Sequence, residues 1–416
     1  MRVFKFGGAS VKDADGVRNL LKVMNDMGHS NTLIVVSAMG KTTNAIEKVI
    51  GNYFNNKSAF RSSLQDVRKF HNAILLELFD NENHLVFKKV AALFDELNLF
   101  FDRNKSPDYN FVYDQTIGYG ELVSTLIISE FLNEMGLKNN WIDVRDYIKT
   151  DSFYRRANVD WEKTQSLIAR DLKVERLNIV QGFIGSDLNN FTTTLGREGS
   201  DYTAAIFAYC LNAESVTIWK DVPGVLNADP RYFENAQLLH KISYREAIEL
   251  AFYGASVIHP KTLQPLQRKE IPLYVKSFLK PNEAGTKVEK GHGIEPEIPC
   301  FILKKDQVLL SLSSLDFSYI VEENISEIFN LLHLYKMKVD VIQNSAISFS
   351  VCFDNGFDNL DELLQHLKAK FKVTCYEKVS LYTIRHYNEE AVAGLEKGKE
   401  VLLKQLTQET MQMVTK

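Results

Sequence analysis

The sequence predicts an α/β fold, three layers deep around a mainly parallel central sheet, followed by smaller α+β modules of ferredoxin-like type. Three observations predict it. Short runs rich in Val and Ile end abruptly in polar turns that contain glycine, and helix-period stretches lie between them. A polar, Gly/Pro-rich stretch at Pro281–Pro299 then separates this rhythm from a second one. Runs that are apolar throughout are the habit of strands buried on both faces of a parallel sheet.

Taken in order, the predicted strands of the first part are Arg2–Phe6 before Gly7-Gly8, and Thr32–Val36 before Ser37-Ala38-Met39-Gly40. Asn178–Val180 follows, before Gln181-Gly182-Phe183-Ile184-Gly185, and then Ser215–Trp219 before Lys220-Asp221-Val222-Pro223-Gly224. Helices are expected at Asp201–Asn212 and Tyr244–Phe252. Between about 43 and 137 the pattern turns helical, as at Leu85–Asn98 and Glu121–Met135, which reads as an insertion in the α/β domain. Alternating strands and helices build a parallel sheet covered on both faces, and ligands collect at the carboxyl edge of such sheets.

The second part reads Val308–Leu312 strand, Asn324–Lys336 helix, Val339–Gln343 strand, Ile347–Phe353 strand, Leu360–Phe371 helix and Val373–Glu377 strand. That β-α-β-β-α-β order is ferredoxin-like. A partial second copy follows, with strand Ser380–Ile384, a helix near Glu389–Glu396, then Glu400–Gln405 and Thr410–Val414. Lacking a closing helix and strand, it needs completion by the first copy or by another subunit.

At 416 residues two or three domains are expected. Lys and Arg total 49 against 53 Asp and Glu, a net charge of −4, which argues against a nucleic-acid binder. Cys210, Cys300, Cys352 and Cys375 are widely spaced, so neither a zinc site nor a disulfide framework is expected. The first residues, Met1-Arg2-Val3-Phe4-Lys5, break any signal-like apolar run, and no stretch has the length of a membrane span. A soluble cytoplasmic protein is the expectation.

Four segments carry groups suited to chemistry. Lys5-Phe6-Gly7-Gly8-Ala9-Ser10 places a lysine at a strand end, beside glycines whose backbone N–H groups can approach phosphate oxygens. The plain alternative is an ordinary strand-to-helix turn, and no Walker A loop is present. The densest cluster runs from Thr192 to Thr203. There Ser200 is expected to cap the following helix, Arg197 offers a planar fork for a carboxylate or phosphate, and Asp201 can orient a lysine or approach a metal. Trp219–Gly224 with Ala228-Asp229-Pro230-Arg231 forms a polar loop after a strand, and Phe252–Lys261 turns through Ser256 to His259, which reads as structural.

Together these segments resemble the aspartate kinases of the amino-acid kinase fold. The family's K-F-G-G-[TS]-S is matched by Lys5–Ser10 except at Ala9, its V-V-S-A and T-N by Val35–Ala38 and Thr43-Asn44, and its G-E by Gly120-Glu121. Its T-T-L-G-R-x-G-S-D-Y-T-A runs intact from Thr193 to Ala204, and its D-V-P/D-G…D-P-R block is matched by Asp221–Gly224 and Asp229–Arg231. The tail resembles the paired ACT modules of that family. The resemblance implies a catalytic domain at 1–288, a first ACT-like module at 300–378 and an abbreviated second at 379–416.

It also implies phosphoryl transfer from ATP, with Mg²⁺, to the side-chain carboxylate of aspartate, opening the route to lysine, threonine and methionine. Lys5 and Asp201 would be catalytic, Lys5 neutralising the phosphoryl group and Asp201 holding the lysine. Ser37, Thr43, Glu121, Phe183, Arg197, Ser200 and Asp201 would form the amino-acid site, Arg197 at the α-carboxylate and Glu121 at the ammonium. Lys5, Gly7, Gly8, Ser10, Lys220, Asp221, Arg231 and Ser256 would meet the nucleotide. Many members have Lys where this chain has Ser256 and Thr where it has Lys220, which suggests a compensating swap. A carboxylate is ionised at neutral pH, with an ordinary pKa near ~4, so no general base is needed.

For the tail, the resemblance implies a homodimer and a lysine or threonine effector near Asp340, Asn344 and Ser345. Ala346 and the missing glycine around Asp316–Val321 depart from the family, and a purely dimerising tail is the other reading. Two other functions remain open at this point. One is another kinase of the fold, acting on glutamate, acetylglutamate or UMP. The second is a catalytically silent amino-acid sensor.

Overall fold

The computed structural model describes residues 1–172, 176–255, 258–316, 318–356 and 359–416. These fall into two compact units, one of residues 1–225, 238–248 and 257–293, the other of residues 226–237, 249–256 and 294–416. No helix among the described residues is long and apolar enough to cross a membrane.

The first unit is built on strands β1 (Arg2–Phe6), β2 (Thr32–Val36), β3 (Asn139–Ile142), β4 (Leu177–Gln181), β7 (Ser215–Lys220), β8 (Lys241–Ser243), β9 (Leu273–Ser277) and β10 (Thr286–Glu289), in the order β8-β10-β9-β7-β1-β2-β4-β3. Strands β5 (Ile184–Ser186) and β6 (Thr192–Thr194) form a separate hairpin. All pairings of the main sheet just given are parallel except β9 with β10. The four expected strands are present to within one residue at each end.

The alternation of side chains along β1 sorts the layers. Phe4 and Phe6 enter a large core with helices α1 (Ala14–Met27), α2 (Thr42–Asn55), α3 (Lys57–Leu78), α4 (Leu85–Arg103), α5 (Tyr109–Ile117) and α6 (Tyr119–Glu134). Lys5, one residue out of phase, points to the other face, where α8 (Gly199–Leu211) packs on β1, β2 and β7; α7 (Trp161–Asp171) packs on α8. Five of these helices, α2 to α6, lie between β2 and β3 and correspond to the expected helical insertion.

The second unit holds six strands, Cys300–Ser314, Lys338–Asn344, Ser348–Asp354, Phe371–Arg385, Val401–Leu406 and Thr410–Thr415, in one antiparallel sheet. Its helices are Glu322–Leu334, Leu360–Lys368 and Glu389–Glu396. Val373–Glu377 and Ser380–Ile384 turn out to be one strand, so the expected module boundary at 378/379 falls inside it. The register against Cys300–Ser314 shifts between Lys304 and Leu309, and Asp306 and Lys378 take positive φ. A bulge interrupts the period-2 pattern, which is why one strand reads as two. The abbreviated second module is completed from within the chain: Cys300–Lys304 pairs with Arg385–Leu381.

Candidate active site

Neighbouring strands end at one level. Lys5 is in register with Val35 of β2 and Ile218 of β7, and Val36 with Gln181 of β4. The residues just beyond, Gly7, Ser37, Lys220 and Gly182, therefore meet at the carboxyl edge, where chain order runs away from β1 in both directions. Gly8 is needed for closeness: a Cβ there would stand 2.7 Å from the Ala38 carbonyl oxygen and 2.9 Å from that of Gly40. The Ser10 hydroxyl is turned inward to the Trp219 carbonyl at 3.3 Å. The helix after this turn begins at Ala14, capped by Asp13, which accepts from the Gly16 N–H at 2.8 Å.

Opposite Lys5 stands the first turn of α8. Lys5 Nζ lies 2.7 Å from Asp201 Oδ1, with the two side chains 10% and 4% exposed. Ser200 does not cap the helix. Its turn starts one residue earlier, at Gly199, with Glu198 left-handed at φ +54 as the flanking residue. Ser200 instead lies inside the first turn, packed so closely under the β4 turn that a Cβ on Gly182 would come within 2.4 Å of Ser200 Cβ. Phe183, next in that turn, is itself left-handed at φ +75, and its N–H donates to the Thr203 hydroxyl at 3.0 Å. Strain of this kind on a bulky residue is held only where the surroundings over-determine it.

Glu121 rises from the first turn of α6 and is fully buried. Its Oε1 accepts from the Ala38 N–H at 3.4 Å, and its Oε2 has no hydrogen-bond partner. Burial pushes its pKa up to about 8, against the lowering by backbone hydrogen bonds from its own N–H and from Ala38. Among the described residues no basic side chain pairs with this carboxyl.

A cavity of about 630 Å³ joins these groups. It is lined by Lys5, Ser37, Thr43, Glu121, Phe183, Arg197, Ser200, Asp201 and Lys220, all expected from the sequence. Arg197 is exposed and, among the described residues, has no hydrogen-bond or ion-pair partner. Gly7, Gly8, Ser10 and Asp221 lie outside the lining, on the adjoining turns. Arg231 belongs to the second unit, where its guanidinium forks onto Asp229 at 2.6 Å. Ser256 lies outside the described residues. His259 is structural, as expected: its Nδ1 accepts from the Lys261 N–H at 3.2 Å at the start of helix Pro260–Arg268.

The sequence reading gave no role to Asn44 or Glu198, though both lie in its motifs, and missed Tyr113 and Arg155, which also line the cavity, and Asp114 beneath it. Asp114 is buried, accepts from the Arg155 and Thr194 N–H groups, and is pushed by burial to about pKa 6 against those bonds. A helical Asp is no signal in itself; only the fold shows that it ties two loops together.

In the second unit Asp340 is paired with a lysine of the strand Cys300–Ser314. Its Oδ1 lies 2.7 Å from Lys304 Nζ, with its side chain 6% exposed. Asn344 is the exposed last residue of its strand and Ser345 opens the exposed turn after it, bonded to Ser348 through hydroxyls 2.6 Å apart.

A family model described as the amino acid kinase family matches residues 1–277. Lysine-sensitive aspartokinase 3 of Escherichia coli (strain K12) is 33% identical over 411 residues, 96% of this chain and 89% of the relative. The crystal structure of E. coli aspartokinase III in complex with lysine and aspartate (T-state) superposes with a TM-score of 0.83 at 30% identity, covering 100% of this chain and 95% of that one. The structure of E. coli aspartokinase III with aspartate and ADP (R-state) gives 0.81, also at 30% identity, covering 100% and 96%.

Proposed function

The chain belongs to the amino acid kinase family, and within it to the aspartokinases, and on that premise we propose that it transfers the γ-phosphoryl group of ATP to the side-chain carboxylate of aspartate. A carboxylate oxygen forms the new bond to phosphorus as the bond from phosphorus to the ADP oxygen breaks, yielding 4-phospho-aspartate and ADP. No proton must be removed from the nucleophile, so the barrier is the approach of two anions. Positioned positive charge is what lowers it.

The observation that carries the proposal is the buried Lys5–Asp201 pair sharing one cavity with Glu121. Lys5 neutralises charge on the transferring group, and Asp201 fixes the ammonium in place. Glu121, ionised on meeting the substrate ammonium, holds one end of aspartate, and Arg197 holds the α-carboxylate. Ser37, Thr43, Phe183 and Ser200 shape the amino-acid site. Gly7, Gly8, Ser10, Lys220, Asp221, Arg231 and Ser256 are assigned to the nucleotide. Among the described residues no group of three or more acidic, His or Cys side chains is gathered to hold a metal. Mg²⁺ bound with ATP would offset the charge of the phosphates.

The relative's lysine sensitivity supports lysine as the effector of the second unit, and the homodimer implied by the resemblance is part of the same proposal. The test of the activity is incubation with Mg-ATP, hydroxylamine and a panel of amino acids. Hydroxamate from aspartate and not from glutamate is expected; a blank across the panel would favour a silent sensor. Lysine added to the same assay reads the effector, and sedimentation velocity reads the dimer.

A further inference from the structure

Arg155 lines the cavity with Arg197 and Glu121, and three features fix it there. Its backbone is left-handed at φ +68, a conformation that long side chains rarely adopt. Its N–H donates to both oxygens of buried Asp114 at 3.0 Å, and that carboxylate also accepts from the Thr194 N–H and hydroxyl at 2.9 Å. Its guanidinium lies 4.4 Å from the Tyr113 ring centre and 3.6 Å from Glu47 Oε1, with the side chain 44% exposed.

The same bonds bring Arg155 to the Arg197 side of the cavity. The Ala157 N–H donates to the Thr194 carbonyl at 2.8 Å, and a Cβ on Gly196 would stand 3.3 Å from the Arg155 carbonyl oxygen. Asp114 thus fastens the loop of Arg155 to the segment that leads into Arg197. A guanidinium has five N–H donors, and the Tyr109 and Tyr113 side chains with one long carboxylate contact still leave donors for a planar anion.

We propose, resting on the aspartate-kinase reading above, that Arg155 is a second guanidinium for the α-carboxylate of the substrate, with Asp114 as its positioning residue. The side-chain carboxylate of aspartate must face Lys5 and the phosphoryl donor, so the anion left for the Arg155 and Arg197 side is the α-carboxylate. Selection against amino acids whose α-carboxylate is masked follows from that pairing.

The test uses R155G, because glycine adopts φ +68 freely and the loop keeps its shape. Its aspartate KM should rise about tenfold, with kcat and the ATP KM within about twofold, as for a lost ground-state contact to a charged group. Aspartic acid α-amide, which lacks that charge, should be discriminated against less strongly by R155G than by the unaltered enzyme, by the same factor of about ten. D114N should also raise the aspartate KM, since an amide cannot accept all four bonds. An unchanged aspartate KM and α-amide discrimination in R155G would overturn the contact, and an unchanged KM in D114N would overturn the positioning. Absence of aspartate hydroxamate from the unaltered enzyme would instead bring down the parent reading, and this one with it.

Discussion

Lys5 Nζ and Asp201 Oδ1 meet at 2.7 Å in a place almost closed to water. A buried ion pair is weak evidence of stability, because desolvation offsets most of the attraction. Its value here is geometric: the end of β1 and the first turn of α8 hold an ammonium at one point. K5A should lower kcat by roughly 10²–10³, the cost of removing one preorganised charge, with a smaller change in aspartate KM. D201N should lower kcat by a similar order while leaving the lysine present. Steady-state kinetics on both variants checks the pair, and a D201N enzyme with full kcat would contradict it.

Glu121 makes a pH-dependent prediction. Its folded pKa of about 8 exceeds the ordinary 4.5, so the folded chain carries an extra proton between those values. The stability that proton contributes is complete below the ordinary value and is lost as pH rises through about 8. E121Q cannot lose it, and should melt above the unaltered protein at about pH 8.5, with the gap shrinking towards about pH 5. Substrate ammonium should also drive ionisation, releasing up to about one proton on aspartate binding at pH 7. Calorimetry in buffers of different ionisation heat reads that release, and E121Q should show none.

The close approach of the β4 turn to α8 predicts a costly glycine. G182A puts a methyl group 2.4 Å from Ser200 Cβ, which must push the first turn of α8 and Asp201 with it. A shift near 1 Å in a catalytic group costs on the order of 10² in rate, so kcat should fall far more than stability alone explains. Gly51 is the control, since nothing lies within 4 Å of its added Cβ inside α2. G51A should raise stability by about 0.5–1 kcal/mol with kcat unchanged, as thermal melts and kinetics will show.

Asp340 is predicted to be structural first. Removing one partner of the Lys304–Asp340 pair strands a charge in a largely buried place. D340A should cost roughly 3 kcal/mol in denaturant unfolding, and pairing it with K304M should recover most of that. Lost lysine inhibition with unchanged stability would instead assign Asp340 to the effector.

Much of this was legible in the sequence where one period governed. The four core strands of the first unit show as short, Val/Ile-rich runs ending in polar turns because parallel strands are buried on both faces, and Thr193–Ala204 shows as a dense motif. What stayed hidden depends on contacts distant along the chain. Ser200 looks like a cap, yet the helix already starts at Gly199 and Ser200 packs against Gly182 inside its first turn. The bulge near Gln307 makes one long ladder read as two short ones. Arg155 and Asp114 lie 41 residues apart in ordinary surroundings, and only the fold places them against the motif.

The central claim is that a side-chain carboxylate oxygen of aspartate attacks the γ-phosphorus. Aspartate labelled with ¹⁸O in that carboxylate, turned over with Mg-ATP and followed by ³¹P NMR, tests it most directly. The account predicts an acyl-phosphate resonance carrying the isotope shift of a bridging ¹⁸O. An unshifted product resonance, or no acyl phosphate beyond what ATP alone produces, would contradict it.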